Sequence, residues 1–284
     1  MAVTTVREKN TETPVIIIRP RRGWWDIDWR SLWEYRELLY FFIWRDVKVR
    51  YKQTIIGAAW AIIQPFMTMV VFSLFFGKLA KIPSNGLPYP IFYYSALLPW
   101  TYFANSIQNA TNTIVAHQHM IKKVYFPRLI LPASAVLSGL VDFAIAFSIL
   151  LGMMVYYGIT PTWKLLLLPL LLGLATLTAL GVGLWLSALN AMYRDVRYAT
   201  PFLVQLWLFA SPVAYPASMV PGKWQWVYWL NPMTGVIEGF RWVLTGQGQP
   251  LNELFFVSIC FVLVTLVLGL MFFHKMEGTI ADVV

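Results

Sequence analysis

Apolar positions fall into six long blocks separated by short polar breaks: residues 55–77, 89–112, 130–157, 165–189, 198–215 and 252–273. A helix crossing a bilayer core needs roughly 20 consecutive, mostly apolar residues. The pattern therefore predicts six membrane-spanning helices, the fifth being the shortest. Ahead of them the period changes. From Ser31 to Lys48, Leu32, Tyr35, Leu38, Leu39, Phe42 and Ile43 recur three and four apart, with Arg36, Glu37, Arg45 and Asp46 elsewhere on the surface. That spacing predicts an amphipathic helix, and Ser31 with Glu34 three residues later predicts a capping box at its start. Such a helix suits a membrane surface or a partner subunit, and the two readings are compatible.

The stretch between the fifth and sixth blocks breaks the pattern. Residues 216–251 contain two apolar pieces, each too short to cross. The second opens at Asn231-Pro232, an N-cap followed by proline in the first turn, and closes at Gly246, a suitable C′ glycine. Within it Met233, Val236, Ile237, Phe240, Val243 and Leu244 keep the helical period, while Gly235 and Gly239 offer a close-packing face. About 14 residues make a helix of roughly 21 Å, short of a ~30 Å span. The first piece holds Lys223, Trp224, Trp226, Tyr228 and Trp229, the residues of a membrane interface. Together they predict a re-entrant pair of short helices, buried in protein or lining a cavity. Trp229, Glu238 and Arg241 are its gating candidates. Glu238 and Arg241 stand three apart and can equally form a structural pair.

Composition strengthens the membrane reading. Hydrophobic residues make up 58% of the chain and charged residues 12%, with a mean hydropathy of +0.61. A soluble domain carries about 25% charged residues, so the composition argues against a water-soluble enzyme. The single cysteine, Cys260, rules out a disulfide framework. Of 35 charges, 18 lie in the first 54 residues. Counting Lys and Arg on alternate sides of the six spans gives 17 against 5, which predicts both termini in the cytoplasm. The opening residues lack an apolar core, so no cleavable signal is expected. The expected organisation is a flexible cytosolic tail over 1–28, an interface helix and connector over 29–54, the six-span domain over 55–274, and a cytosolic tail over 275–284.

Polar groups at bilayer depth are expensive unless they face a bundle interior or water. Asn105, Gln108, Asn109 and Asn112 form a stripe at helical spacing. Trp60, Gln64 and Met67 lie together on the first block, where Pro65 is expected to kink the helix. Gln205, Phe209, Pro212 and Tyr215 lie on the fifth. Aromatic faces stack on sugar C–H groups while amides bond hydroxyls, and a sliding polymer needs weak, repeated contacts. Trp60, Gln64, Met67, Gln205, Phe209 and Tyr215 are therefore expected to line a channel; the alternative is helix packing. Asp142 is the one acid deep in a block, with no basic partner at similar depth in the others. It reads as a structural hydrogen bond or a proton relay. Arg45, Lys48, Arg50 and Lys52 can attract a lipid pyrophosphate, or anionic lipid generally. His117 and His119, two apart, face different ways and lack a third ligand, so no metal site is expected. Neither Gly77-Lys78 nor Gly222-Lys223 belongs to a P-loop.

Several stretches carry a family resemblance: RDVKVRYKQTIIGAAWAIIQP (45–65), ALLPWTYFANSI (96–107), IKKVYFPRLILP (121–132), LNAMYRDVRYATPFLVQLWLFASPVAYP (189–216) and WLNPMTGVIEGFRW (229–242). From about Trp29 to Lys275 the chain resembles the permease subunit of bacterial ABC exporters for O-antigen, capsule and teichoic-acid polymers. The first 28 residues lie outside that pattern. The resemblance implies a coupling helix in the 113–129 loop, with His117, His119, Met120, Lys122, Lys123, Tyr125 and Phe126 seated in a partner ATPase. It also implies a polyprenyl-linked polysaccharide substrate, a plasma (inner) membrane location, and no cofactor in this chain, ATP and Mg²⁺ being held by two ATPase subunits. Six helices are few for a wide sugar channel, so a C2 homodimer is expected, in contact with membrane lipid and no nucleic acid. Alternatives are a related permease for a drug or small lipid, and a membrane glycosyltransferase or acyltransferase. For the latter the only dense acid cluster is Asp26, Asp28, Glu34 and Glu37, outside any expected substrate loop. A purely structural membrane scaffold is a further reading.

Overall fold

The computed structural model describes residues 2–6, 15–19, 29–52, 57–160, 162–247 and 253–283. Within the stretch expected to be a flexible tail, β1 (Ala2–Val6) pairs antiparallel with β2 (Val15–Arg19), Val6 opposite Val15. The other described residues are helical or form turns and short connections. Among the described residues, four helical segments are long and apolar enough to cross a bilayer: Ala59–Leu79, Ile130–Tyr156, Trp163–Met192 and Glu253–Thr279.

The first of these is α3 (Gly57–Phe72), which passes through Pro65 and widens into π-helical turns at Ser73–Leu79. The others are α6 (Ile130–Tyr156), α7 (Leu168–Met192) after a 3₁₀ turn at Trp163–Leu167, and α11 (Glu253–Val283). Helix α11 continues through the residues expected to form a C-terminal tail.

The second apolar block becomes α4 (Tyr89–Ala116), 28 residues long. It is the axis of the bundle, packed against α3, α6, α7, α8 and α10. Ile91 through Trp100 are all buried. Its tyrosines and amides lower its hydropathy, so α4 falls outside the four most apolar spans. The fifth block yields α8 (Val196–Phe209), only 14 residues, followed by turns.

Glycines set the closest approach. A Cβ on Gly183 of α7 would stand 2.8 Å from Ala110 Cβ of α4. On the other side of α7, Gly181 and Gly269 bring the backbones of α7 and α11 into direct contact, as small residues do between membrane helices.

The amphipathic segment forms α1 (Trp29–Glu34) and α2 (Arg36–Lys52), with hydrogen bonds continuing across Tyr35. The helix starts ahead of Ser31, and Glu34 faces Arg30 at 3.4 Å, so the expected capping box does not mark the helix start. Phe42 buries in a second cluster with Ile114, Phe126, Ile130, Leu131, Leu184, Ala188 and Phe273. Leu32, Tyr35, Leu38 and Leu39 pack on its edge. This cluster closes one end of the bundle, here termed the basic end.

Candidate transport path and coupling surface

Between α3, α4 and α6 lies a cleft of about 200 Å³. Spacing on α4 brings Thr101, Tyr102, Asn105, Gln108 and Asn109 to its wall, α3 contributes Trp60, Ala61, Gln64 and Pro65, and α6 contributes Gly139, Asp142, Phe143 and Ala146. Gly139 keeps α4 and α6 close, since a Cβ there would stand 3.2 Å from the Tyr102 ring. The amide stripe expected on α4 thus meets two of the residues expected to line a channel, Trp60 and Gln64. Met67 is exposed and outside the cleft. Gln205 and Phe209 are exposed on α8, and Tyr215 donates its hydroxyl to Phe209 O at 3.0 Å. None of these three lines the cleft.

Asp142 has the basic partner that the spans themselves do not offer. Arg50 reaches it from the end of α2, and the Tyr51 hydroxyl donates to its other oxygen. Arg50, expected among the headgroup-attracting residues, therefore spends its guanidinium tying α2 to α6. Burial, and then the carboxylate accepting its proton, push the Tyr51 phenol well above its usual value, so Tyr51 remains a neutral donor. Losing one charged partner of a hydrogen-bonded pair costs ~1–3 kcal/mol, reduced here because both side chains are partly exposed. Asp142→Asn and Arg50→Gln are each expected to lower the melting midpoint of detergent-purified protein, and the double variant to lower it no further than the worse single. Additive losses would mean the two residues act separately.

At the basic end, Arg45 is held by Asp46 at 2.8 Å and meets His117 Nε2 at 2.6 Å, while its guanidinium lies 4.7 Å over the Phe42 ring. His117 Nδ1 faces Thr113 O at 2.8 Å. Lys48 and Lys52 are exposed. The 113–129 loop contains a single-turn helix, α5 (Gln118–Ile121). His119, Lys122, Lys123, Val124 and Tyr125 are exposed, whereas Met120 is half-buried and Phe126 lies in the core. Phe126 anchors the loop rather than presenting itself outward. Arg128 donates to Glu277 O, fixing the loop to the end of α11. Among the described residues no cluster of His, Cys, Asp and Glu is arranged to hold a metal.

The opposite end is capped by α9 (Gly222–Trp229) and α10 (Pro232–Thr245). Their termini follow the sequence rules: Asn231 Oδ1 accepts from Met233 N at 3.0 Å, and Gly246 takes the left-handed conformation. The same Asn231 joins α8, accepting from Trp207 Nε1 at 2.9 Å and donating to Ser211 Oγ at 2.9 Å. Gly235 packs on Ser258 of α11 and Gly239 on Leu171 of α7. Trp229 is buried. Glu238 and Arg241 pair at 2.9 Å, almost fully enclosed. Sequence spacing had no means of finding Trp207 as a partner of Asn231, because the contact joins separate helices.

A bundle with four long apolar helices, a polar cleft between helices and a basic, exposed loop at one end fits a multi-pass membrane protein. The chain belongs to the ABC-2 type transporter family, whose model matches residues 37–245. It is 30% identical over 236 residues to the O-antigen export system permease protein RfbA of Myxococcus xanthus, covering 81% of this chain and 90% of that protein. It is 26% identical over 246 residues to the protein of the same name from Klebsiella pneumoniae, covering 84% and 92%. To the polysialic acid transport protein KpsM of Escherichia coli it is 25% identical over 242 residues, covering 82% and 91%.

Proposed function

We propose that this chain is the permease subunit of an ATP-driven exporter that moves lipid-linked polysaccharide from the cytoplasm across the inner membrane. The observation that carries the reading is similarity over more than four-fifths of the chain to permeases named for O-antigen and polysialic acid transport. The lack of a P-loop in the sequence fits a subunit that does no nucleotide chemistry. ATP and Mg²⁺ then belong to two partner ATPases.

In this reading α3, α4, α6, α7 and α11 are spans, the sixth crossing is made by α8 together with the turns that follow it, residues 196–215, and α9 with α10 form a re-entrant cap on the outer side. The bias of Lys and Arg supports cytoplasmic termini. Helices α3 and α8 present aromatic, exposed faces, with Trp60, Phe66, Met67 and Phe75 on one and Phe202, Leu206 and Phe209 on the other. In a C2 pair these faces, with Gln205 and Tyr215, border the sugar path between protomers. Trp229 and the Glu238–Arg241 pair hold its outer end. Lys48 and Lys52 offer positive charge to anionic lipid at the cytoplasmic entrance, Arg45 being paired with Asp46.

The exposed tip of the 113–129 loop is the ATPase contact. Lys122, Lys123, Val124 and Tyr125 combine charge with apolar area, while Phe126 and Phe42 transmit its displacement to the bundle. Replacing Val124 with Asp is expected to abolish co-purification of the ATPase while leaving the melting midpoint of the permease unchanged. Retained ATPase would remove this loop from the interface. The functional test is deletion of the chain in its host: polysaccharide should vanish from the cell surface and its lipid-linked form accumulate inside. Normal surface polysaccharide in the deletion strain overturns the reading.

A further inference from the structure

The amides of the cleft differ from those elsewhere in the bundle. Asn190 donates to Thr111 O at 2.9 Å and Asn231 makes four hydrogen bonds. By contrast, the side-chain amides of Gln64, Asn105, Gln108 and Asn109 have no hydrogen-bond partner among the described residues. All four line one cleft. Asn105 and Gln108 are half-buried, and Gln64 and Asn109 are exposed at the cleft's mouth; amides facing away from water need partners, so the cleft suits an occupant that supplies donors and acceptors together.

Its chemistry narrows that occupant. Each amide offers both a carbonyl acceptor and N–H donors, a match for hydroxyl groups, which also donate and accept. The charged groups on the wall, Arg50 and Asp142, pair with one another, leaving no net charge to balance a phosphate. Trp60 is 61% exposed at the cleft's edge and offers a ring face to sugar C–H groups. At about 200 Å³ the cleft is smaller than the roughly 300–1,000 Å³ that holds a drug-sized ligand, so it takes one ring rather than a chain. Asn109 stands seven residues before the end of α4, roughly 10 Å from it, within reach of the basic end.

We propose that this cleft between α3, α4 and α6 of a single protomer binds one uncharged sugar ring of a lipid-anchored glycan. It is a loading site inside one protomer that meets the path between protomers at Trp60. Its cargo rests on the exporter reading; its recognition chemistry does not.

The test uses the full chain as purified from native membranes and placed in nanodiscs. An alkyl glucoside with a photoreactive group on the sugar is the probe, and an alkyl phosphocholine of equal chain length, labelled on its headgroup, is the comparison. The glucoside is expected to mark peptides containing residues 60–65 and 101–109, and to be displaced by excess unlabelled alkyl glucoside. Marking should fall about tenfold in the Asn105→Leu, Gln108→Leu double variant. Trp60→Leu, at an exposed position, should lower it as well without disturbing the bundle, which keeps the test decisive if the double variant misfolds. Equal marking by both probes, or marking unchanged in a folded variant, overturns the inference. Loss of cleft marking while ATP-driven glycan export persists sinks the cleft alone. Specific marking in a chain that exports no glycan keeps the cleft and sinks the exporter.

Discussion

Glu238→Ala is expected to prevent accumulation of folded protein. Arg241 is 1% exposed, and its guanidinium is held through both terminal nitrogens and one ring face, with Nε buried and unpaired. Nη1 donates to Glu238 Oε1 at 2.9 Å, Nη2 to Val213 O at 3.1 Å, and the cation lies 3.9 Å over the Phe92 ring. The same carboxylate oxygen accepts Ala217 N at 3.0 Å. One acid therefore neutralises a buried cation and pins the turn after α8 to α10. Removing it leaves a buried charge unpaired, at a cost of about 3–5 kcal/mol, against a total stability of roughly 5–15 kcal/mol. Glu238→Gln keeps an acceptor for Ala217 and should be milder. Pairing Glu238→Gln with Arg241→Met removes both charges and should recover much of the yield. Monodisperse yield in detergent and the melting midpoint read all three. A Glu238→Ala variant as stable as the parent would show that water reaches Arg241.

Gly269→Val is expected to separate α7 from α11. A Cβ at Gly269 would run into the Gly181 carbonyl, and one at Gly181 would stand 2.9 Å from the backbone of Leu266. Both obstacles are main chain, so no side-chain rotation relieves them. Lipid supplies no hydrophobic force to hold helices together, and their association depends on close contact. Overpacking of this kind costs ~1–3 kcal/mol, occasionally more, and here the helices must move apart along the most extensive interface of the bundle. Gly173→Ala in the same α7 is the control. A Cβ there meets open space, so the variant should match the parent's melting midpoint or exceed it slightly. Equal behaviour of the two variants would contradict the contact.

Local rules read well from the sequence, and contacts between helices did not. Asn231 and Gly246 end α10 where capping chemistry requires, because a cap depends on residues within one turn. The four most apolar spans follow from length and hydropathy. Helix α4 is harder: hydropathy tells what a helix contains, not what surrounds it, and only the packing shows that its polar stripe faces a cleft. Ser31 and Glu34 match a cap motif, yet the helix starts earlier and Glu34 turns to Arg30. The partner of Asp142 comes from α2, 92 positions away, beyond any spacing rule. The amide stripe on α4 was visible as a face, and its meeting with Trp60 and Gln64 was not.

The measurement closest to the central claim is purification of the chain from its native membranes in mild detergent, with mass spectrometry of what accompanies it. The exporter account predicts a P-loop ATPase in equal number with the permease, together with a polyprenyl-linked glycan. A folded preparation carrying neither ATPase nor glycan would contradict it.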